Sequence, residues 1–160
     1  MRVIGVDPGY DRVGVAVIEY GDNHRERLIF STCIETDRKT ALPDRLHAIG
    51  TRFQQLIVTY TPTTLAMETL FFNKNQKTAL GVAEARGMLL HIAKAAELQI
   101  YEFSPQEVKV ATTGYGNSDK KAVTEMVKRL VPGAPATALD DEYDAIAVGV
   151  TCLAHHGRNT

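Results

Sequence analysis

At 160 residues and 44% hydrophobic content the chain can close one sizeable core but is short for two, so a single domain over residues 1–156 with a short tail at 157–160 is expected. No apolar run approaches the ~20 residues that cross a bilayer, and the opening residues alternate like a strand instead of forming a signal peptide's apolar block, so the expectation is a cytoplasmic protein without membrane contact. A formal net charge of −1 excludes a generic nucleic-acid coat, since non-specific DNA binding is driven by counterions that Lys and Arg displace from phosphates.

Met1–Val6 (MRVIGV) is a short apolar run ended by Pro8-Gly9, and Val13–Tyr20 (VGVAVIEY) is a second; both read as strands. Gly21-Asp22-Asn23 signals a turn, and Leu28–Ile34 (LIFSTCI), rich in β-branched and aromatic residues, gives a third strand. From Leu42 the apolar period becomes helical, through Leu46, Ile49, Phe53, Leu56, Ile57 and Tyr60, with Pro43 suited to the first turn. Thr64–Glu68 is strand-like, Gln76–Leu98 helical, and Ile100–Phe103 strand-like again. Ser104-Pro105-Gln106-Glu107 spells a capping box with proline at the first helical position. Ser118 is expected to cap a further helix that carries Val123, Met126, Val127 and Leu130 on one face, and Asp141–His155 to form a last one with a tight apolar stripe. The order βββαβαβ followed by helices predicts an α/β fold: a mixed five-stranded sheet, three antiparallel strands and then parallel ones, flanked by helices. Cys33 and Cys152 lie in apolar stretches without a CxxC motif and read as reduced core residues.

Four carboxylates stand out. Asp7 precedes the Pro8-Gly9 turn at the end of the first strand, and Glu68 closes the fourth strand after Leu65-Ala66-Met67. If those strands are neighbours, the two acids lie side by side. Asp141 and Asp144 are three apart on a helix and share a face, so three segments can converge on one acidic pocket. Clustered carboxylates raise one another's pKa unless a cation neutralises them. Oxygen ligands without Cys or His favour Mg²⁺, with Mn²⁺ as a substitute, over zinc. Two such ions about 3.5 to 4 Å apart suit phosphodiester hydrolysis. Taken singly, Asp7 also fits a turn opener and Asp141 a helix-start acid that complements the dipole; the set carries the reading.

Candidate DNA contacts follow from the same chemistry. Phe71 and Phe72 come soon after Glu68, in a segment that turns polar through Asn73, Lys74 and Asn75, and an exposed ring there could stack on bases. Gly114–Ser118 leads into a helix whose first turn holds Lys120 and Lys121, and with Lys109 these suggest a phosphate-binding edge. Basic residues concentrate between Lys74 and Arg129, which permits one basic face. Ala79, Ala83 and Gly87 recur every four residues on the predicted 76–98 helix, a strip that could pack either on a twofold partner or on the chain's own sheet.

Four blocks, VIGVDPGYDRVGVAVIE, METLFFNKNQKTALGVAEARG, QEVKVATTGYGNSDKK and DDEYDAIAVG, in that order, resemble the RuvC-type Holliday-junction resolvases of bacteria over nearly the whole chain. The resemblance implies a ribonuclease H-like fold, a homodimer, and structure-selective cutting of four-way DNA junctions by two symmetric, divalent-metal-dependent nicks in recombination and repair. It also implies a branch-migration complex of the RuvA and RuvB type as partner. The family's catalytic, metal-holding acids carry over to Asp7, Glu68, Asp141 and Asp144, and its base-contacting aromatic to Phe71. Some members have histidine where Asp141 stands, which leaves that residue's role open between ligand and base. Phe72, Asn75, Lys109, Lys120 and Lys121 complete the candidate DNA-binding set. Rival readings are a ribonuclease H-like nuclease acting on other structured nucleic acid, an actin-like nucleotide binder that would need a second lobe, and a metal-free DNA binder.

Overall fold

The computed structural model describes residues 1–9, 11–21, 25–69 and 76–157, with the side chains of 76–78 excepted. Strands β1 (Arg2–Pro8), β2 (Arg12–Tyr20) and β3 (Glu26–Glu35) form an antiparallel meander. Helix α1 (Leu42–Tyr60) returns the chain to the other side of β1, where β4 (Thr64–Glu68) pairs parallel to it from Val3↔Thr64 to Val6↔Met67. Helix α2 (Gln76–Ala95) then leads to β5 (Gln99–Phe103), parallel to β4, and the sheet order is β3-β2-β1-β4-β5. Helices α3 (Pro105–Thr113), α4 (Lys120–Leu130) and α5 (Asp140–His156) follow. This is the mixed five-stranded sheet that the sequence predicts.

The central strands are apolar on both faces because helices cover both. Val3, Ala16, Ile18, Ala66 and Phe103 face a core shared with Val108, Val123, Val127 and Ile146 of α3, α4 and α5. Ile4, Val6, Val15, Val17, Leu65 and Met67 face Ile49, Phe53 and Leu56 of α1 and Leu89 and Ile92 of α2. Each fully buried Val, Leu, Ile, Met or Phe side chain among them contributes roughly 1.5–3 kcal/mol of transfer free energy. Three glycines set how closely α5 lies on the sheet: a Cβ on Gly5 would overlap the Ala145 carbonyl, one on Gly14 the Asp141 carbonyl, and one on Gly149 would meet Ile18 Cδ1 at 2.8 Å. Glycine inside a buried strand marks such a close backbone approach.

Several boundaries differ from the sequence expectation. β1 runs through Asp7 to Pro8 because its antiparallel pairing with β2 continues to Pro8↔Val13 after the parallel pairing with β4 stops. α2 ends at Ala95, three residues short of Leu98, where Glu97 takes φ 60° and turns the chain toward β5. The capping box at Ser104 forms as expected, with the Glu107 backbone N–H donating to Ser104 Oγ at 3.2 Å and the Ser104 N–H to Glu107 Oε2 at 2.7 Å. Ser118, in contrast, does not cap α4. Its hydroxyl is engaged with Tyr115 O at 2.8 Å and Thr113 Oγ1 at 2.7 Å, and Asp119 is the cap, accepting from the Ala122 N–H at 2.7 Å. Cys33 and Cys152 are both free thiols, pushed up by burial to about 11 and about 12. Among the described residues no helix is long and apolar enough to cross a membrane.

Candidate active site

The carboxyl ends of β1 and β4 meet the amino end of α5. Asp7 and Glu68 each stand one residue beyond the Val6↔Met67 pair, so they are side by side on neighbouring parallel strands. Strand alternation turns both toward α5, the face already occupied by Val3, Gly5 and Ala66. α5 begins with Asp140, Asp141 and Glu142, acids that complement the positive end of the helix dipole. Glu142 is tied to β3 by the Ser31 hydroxyl at 2.5 Å, and the buried Tyr143 donates to Pro135 O at 2.8 Å. Those contacts fix the first turn, and Asp141 and Asp144 then face the strand ends.

The carboxyl groups act on one another electrostatically. Asp7 is pushed up to about 7, first by desolvation and then by the charges of Asp144, Glu68 and Asp141. Glu68 is raised by burial and by Asp144, with Lys120 and Lys109 acting in the opposite direction. Asp144 is raised by burial against the opposing hydrogen bond and charge of Lys120. Asp7, Glu68 and Asp144, from three segments, are therefore raised together in a desolvated space, and the charge of Asp141 adds to the push on Asp7.

Two cations of the chain itself enter this site. Lys120 Nζ lies 2.7 Å from Asp144 Oδ2 and 3.7 Å from Asp140 Oδ2. Burial works against its charge, yet Asp144, Asp140 and Asp7 hold its pKa above the usual lysine value. Arg12, at the start of β2, brings Nη2 to 3.0 Å from Asp141 Oδ2. Asp140 is far more open than its neighbours, its side chain 68% exposed against 18% for Asp141 and 28% for Asp144.

The donor set fits a hard divalent cation: carboxylate oxygens, mutually repelling, partly withdrawn from water, with no thiol or imidazole among them. Asp141 Oδ2 is in addition a buried oxygen without a hydrogen bond. Lys120 and Arg12 lie on Asp144 and Asp141, and among the described residues no three acidic, histidine or cysteine side chains are grouped so as to hold a metal ion. A cation bound there would take the place of those contacts.

The remaining sequence candidates separate. Phe71, Phe72 and Asn75 lie outside the described residues. Lys109 is half-buried and close enough to Glu68 to oppose the rise in its pKa, whereas Lys121 is exposed on α4. The α4 amino terminus differs from the expected phosphate seat, because the Asp119 carboxylate already fills it. The expected basic face is also interrupted, since Arg86 is paired with Glu102 and Lys128 with Glu125. Sequence reasoning passed over Arg12 and the glycines under α5. Gly5 and Gly14, placed in otherwise apolar strands, were the available signal for the second; nothing in spacing marks the first.

A family model described as crossover junction endodeoxyribonuclease RuvC matches residues 3–152. A crossover junction endodeoxyribonuclease RuvC of Thermosipho melanesiensis is 43% identical over 154 residues, 96% of this chain and 97% of that protein. The corresponding protein of Finegoldia magna is 41% identical over 150 residues, covering 94% and 91%. In three dimensions, Thermus thermophilus RuvC in complex with a Holliday junction substrate superposes with a TM-score of 0.87 at 28% identity, over 94% of this chain and 92% of that one.

Proposed function

This chain belongs to the RuvC family of crossover junction endodeoxyribonucleases, with their ribonuclease H-like fold, and from that premise we propose that it resolves four-way DNA junctions by two symmetric, Mg²⁺-dependent nicks in recombination and repair. The observation that carries the chemistry is the convergence of Asp7, Glu68, Asp141 and Asp144, with Asp7 pushed up to about 7 first by burial and then by the other three. A charge cluster so costly to keep is expected where a cation completes it.

Asp7, Glu68, Asp141 and Asp144 would hold the metal, two ions by the carboxylate count, with Mn²⁺ able to substitute. When bound, such a pair supplies a water that is nucleophilic at neutral pH and a counter-charge for the leaving oxygen. The chain's own residues do the rest. Asp7 keeps a proton near neutrality until a cation replaces it. Lys120 and Lys109 offset the negative charge that would otherwise repel a DNA phosphate. Lys121 extends this edge, and Phe71, Phe72 and Asn75 would contact bases at the branch point.

A four-way junction is nearly twofold, so we assign two copies of this chain to it, one active site per cut strand. A candidate surface is the outer side of α2. Gly87 is exposed with no atom within 4 Å of where a Cβ would stand, Ala83 is half-buried, and Leu80 on the same face is 69% exposed. The inner side, Ala85, Leu89, Ile92 and Ala93, packs on the sheet. Nuclease work in the cytoplasm beside a RuvA- and RuvB-type branch-migration complex, from a single domain over 1–156, completes the proposal. A radiolabelled panel of four-way, forked, linear and RNA–DNA hybrid substrates in Mg²⁺ tests it: paired nicks confined to four-way junctions are expected, and equal cutting of hybrids or linear duplex would overturn it.

A further inference from the structure

We propose that Arg12 is an exchangeable counter-ion of the active site, pairing with Asp141 in the free protein and passing to a DNA phosphate when a divalent cation takes the carboxylate. The inference rests on the metal reading above and goes beyond it by assigning a residue at the mouth of the site.

Arg12 has an anchored backbone and a loose head. The preceding residue, Asp11, is held by Arg45 Nη2 at 3.0 Å and Arg38 Nη2 at 2.5 Å, and its carbonyl accepts from the Thr36 N–H at 3.0 Å. Arg45 is buried, so this clasp belongs to the folded core. Arg12 itself pairs its backbone with Glu35 across β3, yet its side chain is 43% exposed. The hairpin thus delivers a long cationic side chain to the rim of the acidic pocket without packing it in place.

The contact it makes is of an unusual kind. Asp141 Oδ2 is shielded from solvent, and Arg12 Nη2 is 3.0 Å away, but the approach lacks hydrogen-bond geometry and the oxygen has no hydrogen-bond partner. Charge is compensated while the lone pairs stay uncommitted. A half-exposed ion pair without a hydrogen bond shifts an equilibrium by no more than about fivefold, so a divalent cation can displace it. Once displaced, a guanidinium at the edge of four ligand-bound carboxylates faces the incoming polyanion, and its planar fork suits a phosphate's two oxygens. Competition for one carboxylate also fixes the sign of the effect: removing Arg12 must favour the metal and disfavour DNA.

The test uses the full chain with Arg12→Gln and Arg12→Lys, thermal melts establishing that each variant folds. Mn²⁺ binding without DNA is followed by electron paramagnetic resonance titration, and binding to a synthetic four-way junction in Ca²⁺ is followed across a salt series. Arg12→Gln is expected to bind Mn²⁺ about three- to fivefold more tightly, to bind the junction more weakly, and to lower the salt slope by about 1 per engaged protomer; Arg12→Lys falls between. Unchanged or weaker Mn²⁺ binding by a folded Arg12→Gln, or undiminished junction binding, overturns the exchange. No Mn²⁺ binding by the unsubstituted chain overturns the metal reading and the exchange with it, so the two failures are distinct.

Discussion

Gly14 on β2 lies so close beneath α5 that a Cβ on it would overlap the backbone carbonyl oxygen of Asp141. Across the strand pair Gly14 stands opposite Asp7. The bare α-carbon is therefore what lets the helix set Asp141 next to the acid at the end of β1.

Gly14→Ala must push the start of α5 outward. Overpacking of this kind costs about 1–3 kcal/mol, and a catalytic group displaced by roughly 1 Å costs about 10²-fold in rate. A lowered melting temperature with a larger, about hundredfold, loss in single-turnover nicking is expected. A folded Gly14→Ala that nicks at the unsubstituted rate would show that the close approach does not set the site.

Glu68→Gln keeps size and removes charge. It is expected to lower nicking by more than the about 10–100-fold typical of groups one shell outside a metal, while junction binding measured by gel shift is retained. Equal loss of both would remove Glu68 from the chemistry and leave it a structural residue.

The pH dependence follows from Asp7, raised to about 7 from an ordinary 3.8, with Glu68 and Asp144 raised in the same direction. The folded chain keeps a proton that the unfolded chain has already released, so this group's contribution to stability falls as pH rises from about 4 to about 7 and is level above that. Mg²⁺ substitutes for the proton, so the gain in melting temperature on adding Mg²⁺ grows across the same window, and nicking climbs through neutrality. Asp7→Asn isolates the effect: its metal-free melting temperature must decline less between pH 4 and 7. Parallel curves for the two proteins would contradict the assignment.

Leu80→Asp and Gly87→Arg place charge on the outer side of α2, where Leu80 is 69% exposed and Gly87 has open space above it. If two copies join there, sedimentation shifts from dimer to monomer, with the melting temperature of the protomer little altered because surface substitutions rarely exceed about 0.5 kcal/mol. Persistence of the dimer in both variants would move the interface elsewhere.

Element types and the convergence of acids were legible because they depend on local signals. Period 2 gave way to period 3.6 at Leu42, Ser104 and Glu107 closed their box, and acids at the ends of apolar strands had no packing reason to be there. What stayed hidden depends on tertiary distance. Ser118 carries the same capping signal as Ser104, but Tyr115 and Thr113 take its hydroxyl and leave the cap to Asp119. Lys120 reads from the sequence only as a phosphate-facing residue, and its contact with Asp144 at 2.7 Å comes from the fold. Arg12 is 129 positions from Asp141, as 141 less 12 gives, and no periodicity links them.

In the proposed reaction a divalent cation held by the four acids supports cutting of DNA at a branch point. Incubation of the purified chain with a synthetic four-way junction, in Mg²⁺ and in a chelator, tests it most directly. Paired nicks placed symmetrically across the junction in Mg²⁺, and none in the chelator, are the expected result; nicks of equal yield in both, or an intact junction in Mg²⁺ and Mn²⁺ alike, would contradict it.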